Sequence, residues 1–144
     1  MSMQNGNPIY KRVMIIDDTY VDRYVAERNL LKYGISEEVV SKESAKAALQ
    51  YLQSCESDTN LLPQLIFLDI RMPEMDGFEV LQSLLGTAGT LNIPFVFSSC
   101  RSEKSDHTEA LNMGADDYIT KPYELEELVH KIEGLLCTGS VRHH

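Results

Sequence analysis

Four short apolar runs in this chain each stop at a residue that can do chemistry. Val13-Met14-Ile15-Ile16 ends at Asp17 and Asp18, and Leu65-Ile66-Phe67-Leu68 ends at Asp69. Phe95-Val96-Phe97 ends at Ser98 and Ser99, and Tyr118-Ile119-Thr120 ends at Lys121, just before Pro122. The first three runs are nearly continuous, without the alternation of a sheet that faces water on one side. Such runs belong to parallel strands covered on both faces, which require helices between them.

The intervening segments supply those helices. Strands are expected over residues 12–17, 38–42, 64–69, 95–98 and 117–120. Helices are expected over 20–33, 44–54, 77–85, 104–113 and 125–136. Thr19 or Asp18 would cap the first helix and Gly34 would stop it, and Leu125, Leu128, Val129, Ile132, Leu135 and Leu136 mark the buried stripe of the last. Residues 55–63 and 86–92 read as loops. Five strands alternating with five helices make a doubly wound α/β domain. In such a sheet ligands bind outside the carboxyl ends of the strands, where all the polar residues named above would converge.

With 144 residues there is room for one folded domain with a real core, and none for a second. We divide the chain into an extension at 1–10, a domain at 11–137 and a flexible tail at 138–144, whose His143 and His144 read as an added remnant and not as a metal site. A net charge of -9, with no cluster of Lys or Arg, argues against direct nucleic-acid binding. No apolar stretch approaches the roughly 18 residues of a membrane span, so no membrane insertion is expected. The polar residues 1–8 lack the core of a secretion signal, which points to the cytoplasm. Cys55, Cys100 and Cys137 are widely separated, without ligand spacing, and read as free thiols in a reducing compartment.

The convergent acids need a partner. Two carboxylates about 4 Å apart repel by roughly 4 kcal/mol at an effective dielectric of about 20, so three together require a cation or a proton. Oxygen-only ligands favour a hard ion, and Mg2+ suits best because it takes one or two carboxylates, keeps waters and bridges to phosphate oxygens. A nucleophilic carboxylate beside such an ion, an amine and a hydroxyl points to a phosphoryl group as substrate, with an aspartyl phosphate as product. Lys121 would clamp the phosphoryl oxygens, and the Ser99 hydroxyl would bond to one of them.

Four segments carry a family resemblance: Ile16-Asp17-Asp18, Leu68-Asp69-Ile70-Arg71-Met72-Pro73-Glu74-Met75-Asp76-Gly77, Pro94-Phe95-Val96-Phe97-Ser98-Ser99, and Gly114-Ala115-Asp116-Asp117-Tyr118-Ile119-Thr120-Lys121-Pro122. In this order and spacing the chain resembles the receiver domains of two-component response regulators, of the single-domain chemotaxis-regulator type, from Lys11 to Leu136. The resemblance implies a flavodoxin-like strand order 2-1-3-4-5. It implies Asp69 as phosphoacceptor, loaded from a phosphohistidine on a sensor histidine kinase or a histidine phosphotransfer protein. It further implies Mg2+ held by Asp18, by Asp17 chiefly through water, by Asp69 and by the backbone carbonyl of Arg71. Lys121 and Ser99 would bind the phosphoryl group, Ser99 and Tyr118 would form the switch, and the Lys121–Pro122 peptide would be cis.

In this family the face of the fourth helix, fifth strand and fifth helix serves output or homodimerisation, here toward an unknown downstream protein. That stretch is acid-rich (Glu103, Asp106, Glu109, Asp116, Asp117, Glu124, Glu126, Glu127), which suits a basic partner surface or simply a solvated face. The first helix is the family's docking site for the phosphodonor, which makes Tyr24 and Arg28 candidate contacts. Tyr20, Tyr24 and Tyr33 also read as packing residues. Three departures stand out: Cys100 where a smaller Ala is usual, Tyr123 for Phe, and Arg71 two residues after the acceptor, where its side chain would bear on acyl-phosphate lifetime.

Taken singly these residues have ordinary explanations. Asp17 could be a helix cap, Lys121 a snorkelling surface amine, Ser98 and Ser99 strand-end hydroxyls, and Tyr118 a half-buried strand residue. Their convergence favours a phosphorylation-controlled signalling module over an enzyme. A Mg2+-dependent phosphatase with an aspartyl nucleophile has nearly the same site, but it resembles its own kind in carrying a general acid two residues after the nucleophile. Arg71 cannot play that part. A scaffold that keeps only the fold would have no use for the full acid set and Lys121.

Overall fold

A computed structural model of the chain describes residues 7–69, 71–72, 75–76, 93–100 and 115–138. Five strands form its main sheet: β1 (Tyr10–Ile16), β2 (Ser36–Lys42), β3 (Leu65–Asp69), β6 (Phe95–Cys100) and β7 (Asp117–Lys121). They lie in the order β2-β1-β3-β6-β7 and every neighbouring pair is parallel. Counting only these five in chain order, the arrangement is 2-1-3-4-5. Three α-helices are described, α1 (Tyr20–Lys32), α2 (Ala45–Ser54) and α3 (Leu125–Thr138). The helices expected over 77–85 and 104–113, and the loop over 86–92, lie outside the described residues.

The apolar runs are continuous because each strand feeds two cores. Met14 and Ile16, Ile66 and Leu68, and Phe95 and Phe97 pack with Ala48 and Leu52 of α2 on one face. The residues between them, Val13, Ile15, Leu65, Phe67 and Val96, pack on the other face with Ala26 and Leu30 of α1 and Leu128 and Ile132 of α3. The period of two along a strand assigns alternate side chains to opposite faces, and each fully buried Leu, Ile or Phe contributes about 1.5–3 kcal/mol. Among the described residues no helix is long and apolar enough to cross a membrane.

Local signals set the joints. Gly34, at φ +73°, turns the chain out of α1 in the left-handed region that other residues resist, while Ile35 N donates to Leu30 O at 3.0 Å. Ser44 caps α2, its Oγ accepting from Ala47 N at 3.1 Å. Pairing across the sheet moves several boundaries away from the local expectation. β1 and β2 begin at Tyr10 and Ser36 because those two residues pair, with Tyr10 N donating to Ile35 O at 2.9 Å. β6 runs on to Cys100, which pairs with Lys121.

Two features were not legible as periodicity. The loop over 55–63 contains short 3-10 turns at Cys55–Ser57 and Thr59–Leu61. Just past β3, β4 (Arg71–Met72) pairs antiparallel with β5 (Met75–Asp76). Two-residue strands are too short for an alternating pattern to register.

Candidate functional site

Parallel strands end together, and the register shows which residues share a level. Ile16 pairs with Leu68, Leu68 with Phe97 and Phe97 with Tyr118. One residue further, Asp69 pairs with Ser98 and Ser98 with Ile119, while Asp17 has just left β1. Ser99 then pairs with Thr120, and Cys100 with Lys121. Side chains that were scattered in sequence thus line one carboxyl edge. Alternation along the strands also places Asp17, Asp69 and Lys121 in phase with Ile15, Phe67 and Ile119, on the α1 face.

One carboxylate oxygen each from Asp17, Asp18 and Asp69 lie within 4.8 Å of one another. Asp17 and Asp69 are buried and Asp18 is exposed. Asp17 is held on several sides: its Oδ1 accepts from Thr19 N at 2.9 Å, its Oδ2 accepts from Lys121 Nζ at 2.9 Å, and Arg23 Nη1 donates to its backbone carbonyl at 2.7 Å. Lys121 Nζ also donates to Asp22 Oδ2 at 2.8 Å and stands 3.6 Å from Asp69 Oδ2. Burial by itself would lower the Lys121 pKa. The bonds to Asp22 and Asp17, with the charge of Asp69, outweigh it and hold the amine above the usual lysine range, fully charged.

The segment after Lys121 is fixed to α1. The Lys121–Pro122 peptide is cis, Asn29 Nδ2 donates to Tyr123 O at 3.0 Å, and the buried Tyr123 ring lies 4.9 Å from Phe67, centroid to centroid. Burial raises the Tyr123 phenol well above its ordinary range, against a lowering hydrogen bond with Ser98. The position that departs from Phe therefore keeps its aromatic body against the strand that carries Asp69.

Ser99 is buried, and its Oγ has no hydrogen-bond partner among the described residues. A buried hydroxyl without a partner costs about 1–3 kcal/mol, so this edge of the sheet suits an oxygen-rich ligand. Tyr118 is half-buried against the α2-side core. Lys131 of α3 holds its Nζ 3.9 Å from the Tyr118 ring centroid and 3.2 Å from Asp117 Oδ1. The backbone of Arg71 lies in β4, paired with Asp76.

The donor set tests what the site could hold. Asp17, Asp18 and Asp69 offer only oxygens, two of the three acids are desolvated, and the nearby ammonium is already shared among several carboxylates. These residues fit a hard metal ion better than a soft one.

Asp22 was missed from the sequence, although a signal existed. It lies four and eight residues before Ala26 and Leu30, the two buried residues of α1, so an acid occupies the helix's inward stripe. Tyr20, Val21, Tyr24 and Arg28 are exposed. Tyr20 and Tyr24 are therefore not packing residues, whereas Tyr33 packs against the α1-side core.

A family model described as the response regulator receiver domain matches residues 13–133. Response regulator MprA of Mycobacterium tuberculosis is 36% identical over 125 residues, 87% of this chain and 50% of that protein. The transcriptional regulatory protein TrcR of the same organism is 33% identical over 136 residues, 94% of this chain and 48% of its own length. The chain thus spans about half the length of these curated relatives. Among solved structures, the receiver domain of the histidine kinase CKI1 from Arabidopsis thaliana, complexed with Mg2+ and BeF3-, aligns with a TM-score of 0.69 at 28% identity, over 88% of this chain and 90% of that one. Chemotaxis response regulator CheY4 of Vibrio cholerae has the same fold, with a TM-score of 0.69 at 22% identity over 87% of this chain and 98% of that one.

Proposed function

The chain belongs to the response regulator receiver domains of two-component systems, and on that premise we propose that Asp69 accepts a phosphoryl group from a phosphohistidine. A carboxylate oxygen of Asp69 attacks phosphorus in line, the P–N bond breaks, and the imidazole leaves with the electron pair and takes a proton from solvent. Lys121 Nζ moves onto a phosphoryl oxygen, and Ser99 Oγ, which lacks a partner among the described residues, donates to another. Asp17, Asp18, Asp69 and the Arg71 carbonyl would hold Mg2+. When bound, that ion supplies charge neutralisation for the phosphoryl oxygens.

The observation that carries this reading is the meeting of three carboxylate oxygens within 4.8 Å beside a charged amine. The related CKI1 receiver domain, solved with Mg2+ and BeF3-, supports both the ion and a phosphoryl-like ligand. Movement of Ser99 toward the phosphoryl group would open space for Tyr118, which would leave the Lys131 ammonium and turn inward. The signal would then reach the acid-bearing surface of Asp117, Glu124, Glu126 and Glu127, where a downstream protein or a second copy of the chain would bind. The donor would be a sensor histidine kinase or a histidine phosphotransfer protein in the cytoplasm.

A small acyl-phosphate donor with Mg2+ will add one phosphoryl group to the wild type, read by intact mass, and none to Asp69→Ala. Equal labelling of the two proteins would overturn the assignment. Sustained turnover of small phosphate esters would support a phosphatase instead.

A further inference from the structure

Lys121 is the group that must reach the phosphoryl oxygens, yet its shortest contact is with Asp22 of α1, at 2.8 Å. The bond to Asp17 is 2.9 Å and the approach to Asp69 is 3.6 Å, beyond hydrogen-bond range. An ammonium has three protons. Two of them are committed to Asp22 and Asp17 and are thereby turned away from Asp69. We propose that Asp22 is a positioning residue that holds Lys121 back from Asp69 before phosphorylation and releases it afterwards. This rests on Asp69 being the phosphoacceptor and adds a control on how strongly that site takes and keeps a phosphoryl group.

The placement of Asp22 is specific. It sits in the first turn of α1, on the stripe that continues into buried Ala26 and Leu30, so the helix itself aims the carboxylate at the sheet edge. The Asn29 bond to the Tyr123 carbonyl fixes α1 against the segment that follows Lys121. Between them lies a cavity of about 170 Å³, lined by Asp22, Val25, Ala26, Lys121, Pro122 and Tyr123. The Asp22 side chain is about a third exposed, at 35%, while that of Lys121 is largely enclosed, at 11%. Once the amine leaves, Asp22 can therefore take water in its place, whereas Lys121 has only carboxylates or a phosphoryl oxygen to turn to. Breaking the contact is cheap on the Asp22 side, as release requires.

The consequence is directional. Asp22 stabilises the empty state, in which Lys121 rests on it, and contributes nothing to a state in which Lys121 has moved to the phosphoryl group. Removing its charge raises the free energy of the empty state alone, so a phosphoryl mimic binds more tightly. The gain is modest because the pair is partly exposed, about two- to fivefold.

The test is titration of the full chain with beryllofluoride in saturating Mg2+, for wild type, Asp22→Asn, Asp22→Ala and Asp22→Glu. The 15N ammonium resonance of Lys121 is followed in parallel. Asp22→Asn and Asp22→Ala are expected to bind the mimic more tightly by that factor and to shift the Lys121 resonance of the unliganded protein toward its liganded position. Asp22→Glu should restore wild-type values. Unchanged or weaker binding in Asp22→Asn and Asp22→Ala, with the wild type binding normally, overturns the proposal and leaves the phosphoacceptor reading standing. Failure of the wild type to bind the mimic, with no labelling of Asp69, overturns both. If either neutral variant does not fold, Asp22→Ser takes its place under the same criteria.

Discussion

Arg12, near the start of strand β1, and Asp17, just past its end, are both buried charges, and the two are met in opposite ways. At the amino end, Arg12 is buried, and its guanidinium makes three hydrogen bonds within the fold. Nε and Nη2 donate to Glu38 Oε1 on β2, and Nη1 donates to Asn60 O at 2.6 Å. One cation meets one acid and one carbonyl. At the carboxyl end, Asp17 joins Asp18, Asp22 and Asp69 around the single ammonium of Lys121. Both ends are networks of short polar contacts, so short contacts alone do not mark a functional site. Among the described residues the charge balance marks it: the amino end pairs its buried cation with one acid, whereas the carboxyl end gathers several carboxylates on the Lys121 ammonium, as a site for an outside cation would.

The largest effect should come from removing the cation at each end. Lys121→Ala strands buried carboxylates and is expected to cost about 3 kcal/mol in metal-free buffer. Millimolar Mg2+ should return more than half of that, because an external cation can replace the amine. Arg12→Ala should cost about 2 kcal/mol, since it leaves the Asn60 carbonyl and part of a buried stem unmatched. Mg2+ should return none of it. Urea unfolding with and without Mg2+ measures both, and equal Mg2+ responses in the two variants would erase the distinction between the ends.

A smaller effect is expected at Asp18, the exposed member of the acid cluster, whose side chain accepts from the Thr19 hydroxyl at 3.5 Å. Asp18→Ala removes carboxylate repulsion without removing much else. In metal-free buffer its melting temperature should equal or exceed that of the wild type, while the stabilisation that Mg2+ gives by linkage should vanish. A clear fall in melting temperature without metal contradicts this.

The smallest effect at neutral pH belongs to Tyr10, at the amino end of β1. Its hydroxyl is buried without a hydrogen-bond partner among the described residues, and burial pushes its pKa up to about 12. The phenol is therefore harder to ionise folded than unfolded. Its contribution to stability is intact below its ordinary pKa of about 10 and is lost as the pH rises toward about 12. Tyr10→Phe should leave stability near wild type at pH 7 and fall less steeply above pH 10, as thermal melts across that range would show. Parallel pH profiles for the two proteins would mean that the hydroxyl is solvated.

Much of the candidate site could be read from local pattern. Asp17, Asp69 and Lys121 each follow a run whose residues strongly favour strand, and parallel strands place their ends on one edge whatever the loops do. The glycine at the end of α1, Gly34, was an equally local signal. Other features could not be read that way. Arg12 gave no sign of its role because Glu38 and Asn60 reach it only through the β1–β2 pairing and the turn before β3. Tyr20 and Tyr24 looked like packing at helical spacing, but α1 buries a stripe containing only Ala26 and Leu30, and larger residues face outward.

The sequence by itself determined the fold class and the oxygen-rich edge, because both follow from periodicity and from where strands stop, properties of a few adjacent residues. Only the tertiary structure decided how Lys121 divides its bonds, since Asp17 and Asp22 are 104 and 99 residues away from it in the chain. Contacts of that kind depend on register and on the seating of a helix to within an ångström, and no local pattern encodes either. Whether the amine rests against Asp69, the proposed phosphoacceptor, or against Asp22 is a difference of 0.8 Å, from 2.8 Å at Asp22 to 3.6 Å at Asp69.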